Sequence, residues 1–144
     1  MIILSFDFGT KNIGTAIGEC ITYTTRALKT ISKNKKTYWK NIKKIIYEWK
    51  PKKIIVGLPL NIYGKKQKIT RKTEKFAKKL LKKFKISVKL HDERYTTIEA
   101  KSILFKNGGV KQLTKKNINS ISAEIILKSW FYEKLNNKKK NKKN

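Results

Sequence analysis

Residues 1–18, MIILSFDFGTKNIGTAIG, decide the fold. Residues 1–8 read as a strand, residues 13–18 read as a second strand ending in glycine, and only a tight turn at Gly9 separates them. The β-branched run CITYTTRAL at 20–28 predicts a third strand. Three strands with short connections make an antiparallel meander. Asp7 is the anomaly in this stretch, since it closes an apolar strand in a chain that holds two aspartates in all. A carboxylate buried without a partner costs several kcal/mol or takes up a proton, so such a group is paired, hydrogen-bonded or bound to a cation.

Downstream the apolar period changes from strand to helix. Tyr38, Ile42, Ile45, Ile46 and Trp49 fall on one face at helical spacing, and Pro51 follows the end of the pattern. KKIIVGLP at 52–59 is a short apolar run closed by Gly57 and Pro59, as expected of a buried strand, and NIYGKKQ after it is a loop. A second helix is predicted over about Thr70–Phe84, with Phe76, Ala77, Leu80, Leu81 and Phe84 inward and lysines outward. ISVKLHDER at 86–94 alternates as a strand and ends in charge. Thr96 and Glu99 then have capping-box spacing ahead of a short helix that stops at NGG, 107–109. The last helix is expected from about Lys116 to Leu135, and the Lys/Asn-rich stretch 136–144 reads as a disordered tail. The order predicts one α/β domain over 1–135, a mixed sheet flanked by helices.

Composition narrows the function. With 144 residues and 39% apolar content the chain can build one core, and its single apolar run at the start is too short to cross a bilayer or serve as a signal peptide. A cytoplasmic protein is expected, with no membrane partner. One cysteine and one histidine exclude an internal disulfide and the usual Cys/His zinc sites, so any metal would be held by oxygen. The net charge of +28 attracts phosphate backbones, although a Lys- and Asn-rich composition also produces such a surface without selection for binding.

Both aspartates fall at strand ends, where the loops of open α/β sheets converge on one crevice. If the first and last strands lie close, Asp7 meets Asp92 or Glu93. Carboxylates sharing a site repel unless they bind a cation, and an oxygen-only acidic cluster suits Mg²⁺ or Mn²⁺. The same residues also suit structural roles: Asp7 as a brace for the turn at Gly9, Asp92 and Glu93 as partners of Arg94. Spacing alone leaves both readings open.

DFGTKNIGTAIG at 7–18, IIVGLPLN at 54–61, KLHDERYTT at 89–97, FKNGG at 105–109 and NSISAEIIL at 119–127 share a further property. In order and spacing they resemble the YqgF, or RuvX, family of pre-16S rRNA nucleases, formerly described as Holliday-junction resolvases. The resemblance covers nearly all of residues 1–135 and implies an RNase H-like fold. It also implies a Mg²⁺- or Mn²⁺-dependent phosphodiesterase that processes the 5′ end of pre-16S rRNA. By position Asp7, Asp92 and Glu93 match the family's catalytic acids, with Asp7 and Glu93 favoured as metal ligands. Where the family has an aspartate opening its last helix, this chain has Asn119, whose amide oxygen can meet a metal without neutralising it. Lys11, Lys65, Lys66 and Arg94 are candidates for gripping phosphates. A monomer or weak dimer is expected; the rival expectations are a nuclease acting on branched DNA, which needs a dimer with two active sites, and a weakened, non-cutting RNA-binding assembly factor.

If the Lys-rich end contributes to RNA binding, deleting residues 136–144 lowers affinity and flattens the salt dependence of log Kd. An unchanged salt slope in a filter-binding titration would mark those lysines as composition alone.

Overall fold

In a computed structural model, residues 1–34, 36–94 and 115–142 are described, the last helix with side chains over 121–139. Strand β1, Ile2–Phe8, lies at the middle of the sheet. It pairs antiparallel with β2, Asn12–Glu19, on one side, and parallel with β5, Lys53–Leu58, on the other. β3, Thr25–Ala27, and β4, Ile31–Ser32, both pair antiparallel with β2, and β6, Ser87–Asp92, adds parallel to β5. The strand order β3-β2-β1-β5-β6 is the mixed sheet that the sequence predicts, a meander continued by parallel strands.

Apart from Ser5 and Asp7 the central strand is apolar, because both of its faces are covered. Ile3, Leu4, Ser5 and Phe6 are all fully buried. Helices α1, Tyr38–Trp49, and α2, Lys68–Phe84, cover one face, where Leu4, Phe6, Phe8, Ile54 and Val56 meet Ile42, Ile46, Phe76 and Leu80. The other face belongs to α3, Lys115–Lys142, whose Ile126, Leu127 and Phe131 pack on Ile3 and Ile55. Both short helices end in a left-handed residue, Lys50 at φ 46° and Lys85 at φ 54°, whose N–H returns to the carbonyl of Ile46 or Leu81. At the start of α2, Thr70 accepts from the Gln67 N–H at 2.9 Å and donates to the Pro59 carbonyl, tying the helix to the end of β5.

α3 is held to the sheet by close approach. Ser5 Oγ donates to the Ala123 carbonyl at 2.7 Å, and Thr25 Oγ1 donates to Glu124 at 2.8 Å. At Gly18 a methyl group would lie 2.8 Å from Leu127 and 2.7 Å from Phe131, so only a residue without a side chain lets the helix down onto β2.

The structure departs from the sequence reading in three places. The third strand is confined to Thr25–Ala27, because the chain turns back at Glu19, whose carbonyl accepts the Tyr23 N–H at 2.8 Å. β4, only two residues long, is too short to show a period. The expected disordered tail gives way to helix: α3 runs on to Lys142, since 136–142 contains neither Gly nor Pro and extends a helix already nucleated. The predicted short helix after Thr96 and its NGG stop lie outside the described residues.

Gly18→Ala lowers stability by about 1–3 kcal/mol, the usual cost of forcing a methyl into a packed contact, through the displacement of Phe131 and Leu127. Urea unfolding checks this; an unchanged midpoint would show that α3 sits down without needing the gap.

Candidate active site

The parallel strands β1, β5 and β6 all end on the same edge, and β1 turns there into β2. Side chains alternate along each strand, so Ser5 and Asp7 share the face of β1 that α3 covers. On β6 the register pairs His91 with Gly57 and Asp92 with Leu58. The ladder continues one residue further, with the Glu93 N–H donating to the Leu58 carbonyl at 3.1 Å. Glu93 therefore lies on the face of Asp7, and Asp92 on the face of α1 and α2.

Gly57 stands between the two acids. A Cβ there would collide with the Glu93 carboxylate and with Ile126 of α3. What approaches it is the protein's own carboxylate, which crosses β5 to reach Asp7.

The two carboxyl groups hydrogen-bond to each other. Burial pushes Asp7 up to about 6, against the opposing effect of its hydrogen bond with Glu93. Burial, the charge of Asp7, their hydrogen bond and the charge of Asp92 push Glu93 up to about 9. Without a cation the pair thus shares one proton near neutral pH. Such a pair is an oxygen-donor site of net charge near −1, and it fits a hard divalent cation that displaces the shared proton. Among the described residues no third Asp, Glu, His or Cys joins it.

The remaining predicted residues are distributed around this edge. Asp92 is engaged by Arg94, whose Nε and Nη2 reach its Oδ2 at 2.8 and 2.7 Å while the Arg94 N–H donates to Oδ1 at 3.0 Å. Partial burial would raise the Asp92 carboxyl, but Arg94 holds it below the usual carboxylate range. Arg94 also packs over Gly64, which has φ 76° at the tip of the β5–α2 loop. In that loop Lys65 is exposed, and Lys66 pairs with Glu74 at 2.9 Å. Lys11 is exposed in the β1–β2 turn.

Asn119 lies near the start of α3, where the side chains are outside the described residues. Four residues further along the same helix, Ala123 accepts the Ser5 hydroxyl of β1.

Two features escaped sequence reading. Lys33 is brought to the site edge by β4: its N–H donates to the Lys11 carbonyl at 2.9 Å, and its Nζ donates to the Gly9 carbonyl at 3.0 Å, 3.9 Å from the Phe8 ring centre. Burial, with the charge of Lys72, lowers its pKa. His91 is buried against α3, where Nε2 lies 2.9 Å from Ser129 Oγ and Nδ1 3.7 Å from Glu133. Only its alternation with Glu93 hinted that it faces inward.

A mixed sheet with an acid on its central strand, helices on both faces and a second acid at the end of a neighbouring parallel strand defines the RNase H-like class. Thermus thermophilus RuvC in complex with a Holliday junction superposes with a TM-score of 0.53 at 11% identity, covering 94% of this chain and 96% of that one. The fowlpox virus Holliday junction resolvase gives 0.55 at 16%, over 92% and 99%. Residues 1–133 match the family model described as RuvX, Holliday junction resolvase, and the chain belongs to that family of nucleases. The protein of Buchnera aphidicola subsp. Baizongia pistaciae named "Putative pre-16S rRNA nuclease" is 57% identical, over 91% of this chain and 96% of its own length. Its namesake in Escherichia coli O157:H7 is 49% identical, over 90% and 94%.

The paired acids set a pH dependence for the metal-free protein. Both carboxyl groups have folded-state values above their ordinary 3.8 and 4.5, so the folded state binds more protons than the unfolded state between about pH 4 and 9. Stability contributed by the shared proton is complete below that window and is lost as pH rises through it. Urea midpoints in chelator fall between pH 5 and 8.5, and Glu93→Gln flattens the fall. Equal slopes for both proteins would sink the shared-proton account.

Proposed function

We propose that this protein is a divalent-metal nuclease that processes the 5′ end of pre-16S rRNA in the cytoplasm. One observation carries the reading: Asp7 and Glu93, remote in sequence, meet across Gly57 at the strand-end crevice of a chain in a nuclease family. The names of its relatives supply the choice of substrate. Among the described residues no helix is long and apolar enough to cross a membrane.

Asp7 and Glu93, once deprotonated, would hold Mg²⁺ or Mn²⁺, and Asn119 is the candidate for an uncharged third donor. Such an ion would stabilise phosphate charge and activate a water for hydrolysis. The missing side chain at Gly57 leaves the room that the Glu93 carboxylate occupies on its way to Asp7. Asp92 positions Arg94, and through it the loop at Gly64, instead of joining the acids. Lys11 and Lys65 are exposed to receive the flanking phosphates, while Lys66 and Arg94 reach the strand with one carboxylate contact already made.

The test is Mn²⁺-dependent cleavage of a 5′-leader RNA, with a four-way DNA junction as competitor substrate. Asp7→Asn lowers the rate by about two orders of magnitude or more, as loss of a group at a reacting centre does. Asn119→Asp lowers the Mn²⁺ concentration needed for half-maximal rate, because a third carboxylate strengthens an oxygen site. Faster cutting of the junction than of the RNA would overturn the substrate. Tight RNA binding with no cutting, even after Asn119→Asp, would leave the chain a binding factor.

A further inference from the structure

The helices on the sheet face away from Asp7 and Glu93 are strongly basic. α1 carries three lysines and α2 carries eight Lys or Arg, against one glutamate each, and Glu74 is already tied to Lys66. Charge of this kind draws any phosphate backbone and selects none. The groove between the two helices has something more specific, aromatic surface set among the lysines.

That groove encloses about 350 Å³ and is lined by Trp39, Lys40, Lys43, Tyr47, Lys83 and Phe84. Tyr47 is 66% exposed, although α1 fills its core positions with Ile42 and Ile46 and needs no tyrosine for packing. Trp39 is braced from beneath by Phe76 at 5.4 Å between ring centres and from the side by Tyr38 at 5.5 Å. One lysine ammonium stands by each ring, Lys43 Nζ at 5.5 Å from the Tyr47 centre and Lys83 Nζ at 5.0 Å from that of Trp39. Rigid rings flanked by mobile cations are what a single strand needs, since each base offers a π-face and each link a phosphate.

Groove and acids border one piece of core: Phe8, the residue after Asp7, stacks on buried Phe76 at 4.5 Å, and Phe76 packs against Trp39 at 5.4 Å. A strand leaving the acids round the end of β1 passes Lys33 on the Phe8 ring, with Lys72 close enough to feel its charge.

We propose that the α1–α2 groove is a second RNA-binding site, in which unpaired bases of a single strand stack on Tyr47 and Trp39 while Lys40, Lys43 and Lys83 hold its phosphates. It anchors the strand whose other end lies at the acids. The inference rests on the reading above only in taking RNA as the substrate. A duplex keeps its bases stacked on one another and engages the lysines alone.

The test uses the full chain carrying Asp7→Asn, so that binding is read without cutting. Fluorescence anisotropy compares a labelled 20-nucleotide single strand with an RNA hairpin of equal charge. Tyr47→Ala weakens single-strand binding about tenfold, within the range one stacked base contributes, while Tyr47→Phe and the hairpin affinity stay unchanged. Lys43→Gln lowers affinity for both and reduces the salt slope. Tyr132→Ala, which removes an equally exposed tyrosine on α3, has no effect. Unchanged single-strand affinity on Tyr47→Ala would refute the proposal, as would equal losses for strand and hairpin. An acidic peptide that displaces the hairpin and the strand equally, with Tyr47→Ala indifferent, would assign the groove to a protein partner instead. Failure of metal-dependent cleavage in the unmutated chain would defeat the nuclease reading and leave this binding result standing.

Discussion

Two carboxylates brought together in a crevice repel each other, and the structure around the site answers that one constraint. In the metal-free protein the answer is a proton shared between Asp7 and Glu93, and under the proposed function a cation would take its place. Either answer requires the two groups to be held within reach of each other, and they come from strands separated by β5. Gly57 provides the opening on that strand, a space bordered on the helix side by Ile126. Ile126 in turn owes its position to the seating of α3, which depends on Ser5, Thr25 and the absent side chain at Gly18. A residue as remote as Gly18 is thus connected to the electrostatics of the site through packing alone.

Much of this was readable from the chain because its elements carry strong periods. The five main strands or helices before Ser87 fall where apolar spacing puts them, as does the parallel continuation of the meander. Distinguishing Asp92 from Glu93 was harder. Adjacent residues on a strand face opposite ways, and one step of register exchanges their roles. That register is set by Gly57 lying opposite His91, a pairing across 34 residues of sequence that no local pattern encodes. The work of Gly57 was hidden for the same reason, since its collision partners are at 93 and 126.

The cations show a related boundary. Membership of a strand-end loop placed Lys11, Lys65, Lys66 and Arg94 at the correct edge, but it could not say which already faced a carboxylate. Lys66 and Arg94 do. Lys33 stood outside every motif and every predicted element, and joins the site through the two residue pairs of β4. Short pairings of this kind carry no period, yet they decide which side chain reaches the Gly9 carbonyl.

The hydrogen bond from Ser5 to Ala123 spans 118 positions of the chain. Contacts of that separation form late, because the intervening segment must first be ordered. During synthesis from the N-terminus, Asp7 emerges long before Glu93, and Glu93 before the helix that borders the space at Gly57. The acids are therefore separate, solvated groups until α3 docks. A chain of a nuclease family thus passes through synthesis with its two acids apart, and they are brought together only when the last helix seats.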